Sequence, residues 1–392
     1  MKGWRTTPIG ELVDSVQTWN PLRGSPDEVF DYIDLTAVDQ SAKAIVGARE
    51  VACGEAPSRA RQLVSTDDVL VSTVRPNLNG IAKVRAEHNG ATASTGFCVL
   101  RPRPNLLSSS YLFHWVKSPQ FVADMVRKAT GASYPAVSDR IIFESPIATP
   151  VIAEQRRIAA ILDQADALRA KRREALAQLD SLTQSIFIEM FGDPVVNPKK
   201  WNVIPFKDAC ETKLGKMLDA RQQTGQDKRR YLRNANVQWF HIDLFDLLEM
   251  DFDSDARSTF SLKGGDLLIC EGGEPGRAAI WHAELEDIYF QKALHRGRPK
   301  SEVANPEYLV WLLWFLAHNG GLGDHVTAAT IAHLTGEKLK AMPIPVPPLA
   351  LQKTFATRLQ SLDALKATHR SALQELDRLF ASLQHGAFSG EL

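Results

Sequence analysis

Residues 145–182 read SPIATPVIAEQRRIAAILDQADALRAKRREALAQLDSL, and residues 342–379 read MPIPVPPLALQKTFATRLQSLDALKATHRSALQELDRL. Aligned without a gap at an offset of 197 positions, 17 of the 38 pairs are identical. They include Pro146/Pro343, Gln155/Gln352, the run Asp166, Ala167, Leu168 against Asp363, Ala364, Leu365, and Leu179, Asp180 against Leu376, Asp377. Shared helical composition gives scattered matches. It does not give this density at one offset that also places Trp4 on Trp201, Pro8 on Pro205, Arg101 and Pro102 on Arg298 and Pro299, and Tyr111 and Leu112 on Tyr308 and Leu309. The chain reads as an internal duplication, which fixes the architecture before any local reading does.

Working outward, each repeat is a globular module followed by a long helix. The boundaries expected are a module over 1–145, a helical region over 146–200, a second module over 201–341 and a second helical region over 342–392. Pro146 and Pro150 lead into the first helix; Pro343, Pro345, Pro347 and Pro348 lead into the second. Proline there fixes an extended entry and prevents the helix from starting earlier. Gly192, Pro194 and Pro198 end the first helix. Its apolar positions are Ile158, Leu162, Ala165, Leu168, Leu176, Leu179, Leu182, Ile186 and Met190; the second has Phe355, Leu359, Leu362, Leu365, Leu373, Leu376, Leu379 and Leu383. Steps mostly of three and four define a seam like that of a coiled coil. Two matched seams predict that the helices pair with each other as an antiparallel coiled coil, giving a pseudo-twofold repeat. The first helix also carries Arg156, Arg157, Arg169, Lys171, Arg172 and Arg173 among acidic residues. That pattern fits a solvated face laced with ion pairs or a contact surface for DNA or a partner.

The modules read as α+β (mixed α/β). In the first, a strand-like run at 68–74, a polar loop over residues 75–80 (RPNLNG) and a second run at 81–84 follow one another; residues 265–270, 271–277 (EGGEPGR) and 278–281 repeat this plan. Tyr308 to Ala317 is apolar throughout but too short for a bilayer, so it is expected to be a buried helix. The N-terminal residues lack the apolar stretch of a signal peptide, and a cytoplasmic location is expected.

The 392 residues carry a formal net charge of zero, which argues against a simple DNA-coating protein without excluding local basic faces. Cys53, Cys98, Cys210 and Cys270 have neither CxxC spacing nor a histidine cluster beside them, so reduced, buried thiols are expected rather than zinc or disulfides. There is no phosphate loop: residues 272–276 are glycine-rich but sit between strands and lack a terminal Lys-Ser or Lys-Thr. Asn20-Pro21 and Asn197-Pro198 are not followed by proline and an aromatic, as an adenine methyltransferase would require. No catalytic residue, metal site or cofactor is expected.

Two modules, each followed by a long helix entered through Pro146, Ile147 to Gln155, Arg156 or through Pro343, Ile344 to Gln352, Lys353, resemble the specificity subunits of type I restriction–modification systems; the last five residues, FSGEL, also look like that family's ending. The resemblance implies that each module is a target recognition domain reading one half of a split double-stranded DNA sequence. It implies that the helices set the gap and dock methyltransferase subunits, and that the complex takes its methylation, nuclease and translocase activities from methyltransferase and restriction subunits. On that basis the candidate DNA contacts are polar and basic residues expected in exposed loops. The first module offers Arg75, Asn77, Asn79, Lys83, Arg127, Lys128, Thr130, Ser133 and Tyr134. The second offers Arg277, Lys292, His295, Arg296, Arg298, Thr327, Thr330 and His333. The rival is a duplicated scaffold whose helices space two protein-binding modules without specific DNA binding.

Overall fold

The computed structural model describes residues 4–219, 223–323 and 333–392. It divides into two compact units, one comprising residues 1–174 and 370–392 and the other residues 175–369. The two long helices, Ile152–Phe191 and Leu349–Ser389, each contribute a segment to both units.

The core sheet of the first unit orders Val13–Asp14, Phe97–Pro102, Val69–Ser72 and Ile81–Lys83 as neighbours. Val69–Ser72 and Ile81–Lys83 form an antiparallel hairpin with Leu70 opposite Ala82, and the loop expected between them holds a short 3-10 turn at Pro76–Leu78. One face of this sheet meets Tyr111, Leu112, Ile158, Leu162, Phe380 and Ala387 in a single core. Both long helices therefore supply core side chains to this unit. A second sheet, Arg49–Ala52, Val29–Ile33, Thr92–Ser94 and Ala60–Leu63, lies over a smaller core around Ile33, Leu70 and Phe97.

The second unit repeats this order. Cys210–Leu214, Leu294–Pro299, Leu267–Cys270 and Ala278–Ile280 form its core sheet. The apolar run identified in the sequence is the helix Pro306–His318, buried against Phe187, Phe191, Phe355 and Leu359. A separate three-stranded sheet joins Leu248–Asp251, Lys228–Leu232 and Tyr289–Phe290. All four cysteines are free and buried.

Each long helix is anchored near its start by one buried glutamine. Gln155 accepts from the Ser108 amide at 2.9 Å and donates to the carbonyls of Leu106 and Pro150, both at 2.9 Å. Gln352 accepts from the Asn305 amide at 2.9 Å and donates to Val303 at 3.1 Å and Pro347 at 2.8 Å. Every partner is displaced by the offset found in the sequence. Nearby, the Tyr111 hydroxyl donates to Ala148 O at 3.0 Å, and that of Tyr308 donates to Pro345 O at 2.6 Å. The first helix stops at Gly192, whose φ is +78° and whose Cβ, if present, would sit 2.8 Å from Pro198 Cγ; glycine meets both demands.

The stripe differs from the sequence expectation in its phase. Leu168, Leu182, Leu365 and Leu379 are exposed by 43–53%. Arg169 and Lys366 turn inward instead, with Thr183 and Phe380 buried farther along. In the first unit Arg169 pairs with Asp377 at 2.6 Å and lies over the Phe380 ring. In the second, Lys366 pairs with Asp180 at 2.9 Å and donates to Thr183 at 3.1 Å. From Ala165 a step of three reaches Leu168 and a step of four reaches Arg169. The step of four wins because a carboxylate and an aromatic face receive the cation. Within each unit the paired positions run in opposite directions along the two helices.

Replacing Gln155 by Ala strands two buried carbonyls and an amide, a cost of about 3 kcal/mol at roughly 1 kcal/mol or more per unmet group. Hydrogen exchange of the purified chain should show lost amide protection around Ser108 in Gln155→Ala and around Asn305 in Gln352→Ala. Unchanged protection in both variants would remove the glutamines as anchors.

Candidate nucleic-acid interface

In the first unit, the hairpin loop after Val69–Ser72 meets the segment that follows the helix Pro119–Lys128. The Val137 amide donates to Thr73 O at 2.9 Å, the Arg75 amide donates to Pro135 O at 2.7 Å, and Thr130 and Ala136 exchange amide hydrogen bonds, both at 2.9 Å. This junction brings Arg75, Asn77, Asn79, Thr130, Ser133 and Tyr134 together. Arg75, Asn77, Thr130, Ser133 and Tyr134 are exposed; Asn79 is half-buried. The Arg75 guanidinium lies 4.8 Å over the Tyr134 ring. Arg75 and Asn79 both have left-handed backbones, with φ of +51° and +47°.

The other candidates of this unit are committed to acids. Lys83 pairs with Asp67 at 3.2 Å and donates to Ser110 Oγ at 3.2 Å. Arg127 and Lys128 both pair with Asp124, at 2.5 and 2.6 Å. The sequence reading missed Lys43, whose ammonium donates to Asn79 O at 2.5 Å and props the loop from below. Burial, and then the charge of Lys117, hold the Lys43 pKa below its usual value. Nothing local marks Lys43, which is 36 residues from its partner.

Among the described residues, the second unit has counterparts of two contacts of this junction. The Leu334 amide donates to Glu271 O at 2.7 Å, and Gly272 bridges His333. These positions match Val137, Thr73, Val74 and Ala136 within one residue of the repeat offset. Lys292 and His333 are exposed here. Arg277 pairs with Glu274 at 3.2 Å and donates to Asn234 O at 3.2 Å. Thr327 and Thr330 lie outside the described residues.

His295, Arg296 and Arg298 were expected in exposed loops, and the structure corrects that placement. All three lie in the strand Leu294–Pro299. His295 is buried, with Nε2 3.1 Å from Leu334 O. Arg296 is also buried and donates to the carbonyls of Thr259 at 3.1 Å and Ser261 at 2.9 Å. Arg298 makes a two-point pair with the buried Asp266, both contacts at 2.7 Å. The first unit repeats this pair as Arg101 with Asp68, at 2.9 and 2.7 Å. A buried carboxylate demands a cation with matching geometry, and arginine's planar fork provides it.

Among the described residues no His, Cys, Asp and Glu group could hold a metal ion, and no helix is long and apolar enough to cross a membrane.

Burial holds the His295 pKa below its ordinary value of 6.5. The unfolded chain therefore takes up the proton first. The stability tied to neutral His295 is fully present above pH 6.5 and falls as pH drops below it, toward the lower folded-state pKa. Thermal melts from pH 7.5 to pH 5 should show a steeper decline for the native chain than for His295→Gln. Parallel declines would contradict this.

The model of the type I restriction modification DNA specificity domain matches twice, at residues 1–178 and 198–378. The type I restriction enzyme EcoKI specificity subunit of Escherichia coli K12 is 24% identical over 359 residues, covering 84% of this chain and 76% of that protein. The MjaVIII specificity subunit of Methanocaldococcus jannaschii is 22% identical over 311 residues, covering 75% of this chain and 72% of its own length. Among solved structures, a chain from a type I R-M system, determined in work on its complex assembly and conformational transition, matches with a TM-score of 0.67 and 24% identity, covering 100% of this chain and 99% of that one. The S subunit of the M. genitalium type I restriction–modification system matches with a TM-score of 0.54 and 13% identity, covering 98% and 96%. The chain belongs to the family of type I restriction modification DNA specificity proteins.

Proposed function

We propose that this chain is the non-catalytic, sequence-reading subunit of a type I restriction–modification complex, each module reading one half of a bipartite double-stranded DNA target. The observation that carries this reading is the recurrence of one loop junction in both units, with different exposed side chains on it. Arg75, Asn77, Ser133 and Tyr134 belong to the first junction, and His333 to the second. A common frame with divergent tips is what two readers of different half-sites need, because base edges are read by side chains while the frame only positions them.

In this reading the modules extend over 1–145 and 201–341, and the helical regions over 146–200 and 342–392 form the spacer. The helices pair antiparallel along their length and hold the gap between the half-sites. Opposed ion pairs support that pairing: Arg169 with Asp377 in one unit, and Lys366 with Asp180, their repeat equivalents, in the other. Methyltransferase subunits dock on the helices, where Leu168, Leu182, Leu365 and Leu379 offer exposed apolar contacts at repeat-related positions. Restriction subunits join that assembly, which works in the cytoplasm. Methylation and cleavage come from those partners, and this chain needs no cofactor of its own. A net charge of zero fits a reader that gains affinity within a complex.

Sequencing methylated adenines in cells with and without this chain tests the proposal. A split motif that disappears on removal of the chain is expected. A methylation map identical in both strains would overturn it.

A further inference from the structure

We propose that Arg75 is the guanine-reading residue of the first unit and that Tyr134 is the residue that positions it; this rests on the DNA-reading function proposed above. Val74 bridges Ala136 and Gly272 bridges His333, so Arg75 and Gly273 are the next residues at equivalent points. Both have left-handed backbones, with φ of +51° and +75°. The second unit meets this demand with glycine, which adopts it freely. The first unit meets it with arginine, which does so at a cost. The fold itself needs only the backbone angle, so the arginine side chain serves something other than the turn.

What surrounds that side chain indicates its use. The Arg75 amide is fixed to Pro135 O at 2.7 Å, so the root of the side chain is held. Its guanidinium lies 4.8 Å over the ring of Tyr134, which is itself 68% exposed. No carboxylate among the described residues pairs with Arg75, whereas Lys83 pairs with Asp67, and Arg127 and Lys128 share Asp124. A guanidinium over an aromatic ring is held by the ring's π-face rather than by a hydrogen-bond acceptor, so its N–H donors stay free. Two parallel in-plane donors match O6 and N7 of guanine in the major groove. Held at its backbone root and by the Tyr134 ring, the fork loses less freedom when it meets a base. A phosphate could also accept from these donors, but a phosphate contact carries no sequence preference, and the test separates the two.

The experiment uses the assembled complex with its methyltransferase subunits and duplexes carrying the target mapped by methylation sequencing, together with every single base-pair substitution of it. Arg75→Gly places the second unit's residue at the left-handed position, so the variant should melt at the same temperature as the native chain or higher. It should nevertheless lose discrimination at one G·C pair of one half-site, by roughly tenfold or more, with the other half-site unaffected. Arg75→Lys should not restore that discrimination, because an ammonium lacks the fork. Tyr134→Phe should retain it and Tyr134→Leu should weaken it. Unchanged discrimination in Arg75→Gly, or affinity lost equally across all substitutions, would overturn the inference while leaving the DNA-reading function intact. A native complex with no preference for any split sequence would instead overturn that function.

Discussion

The structure hangs on a buried glutamine at the head of each long helix. A glutamine side chain offers one acceptor and two donors, and Gln155 and Gln352 spend all three on backbone groups that would otherwise be stranded. Each ties a helix start to the chain just before the helix that carries Tyr111 or Tyr308. With that point fixed, the apolar side chains of the next turns, Ile158 and Leu162 or Phe355 and Leu359, must face the module core. The long helices are thus part of each module's interior, and helix and module cannot shift separately.

A rigid interior is what allows the loops to differ. One amide bond and one bridge join the hairpin loop to the segment opposite it in both units: Val137 N–H to Thr73 O and Val74 with Ala136 in the first, Leu334 N–H to Glu271 O and Gly272 with His333 in the second. Charges inside the frame are matched in pairs, Asp68 with Arg101 and Asp266 with Arg298, which leaves the exposed tips to carry the chemistry that varies. The left-handed position held by Gly273 in one unit and Arg75 in the other shows this division at a single residue.

The duplication, the strand–loop–strand plan and the buried helix Pro306–His318 were legible in the sequence, because identical residues at one offset, breakers and an uninterrupted apolar run are local signals. The junction in the first unit was legible as two polar segments, although only the fold shows that they meet. The phase of the helical stripe was not legible. Leu168 and Arg169 both satisfy helical spacing, and the choice depends on Asp377 and Phe380, some two hundred residues away. His295, Arg296 and Arg298 misled for a related reason: a basic run reads as exposed until the buried partners are known. One signal was present, since Arg298 aligns with Arg101 across the repeat. Shared by both modules and paired with a buried carboxylate in each, that arginine serves the common frame.

The proposed function puts sequence preference separately in the two modules, residues 1–145 and 201–341. Exchanging residues 201–341 for the second module of a relative, followed by methylation sequencing of cells that supply the methyltransferase partner, tests it most directly. The account predicts a new motif in which one half is replaced and the other half, read by residues 1–145, is retained. A folded, assembled hybrid that leaves both halves of the motif unchanged, or changes both, would contradict it.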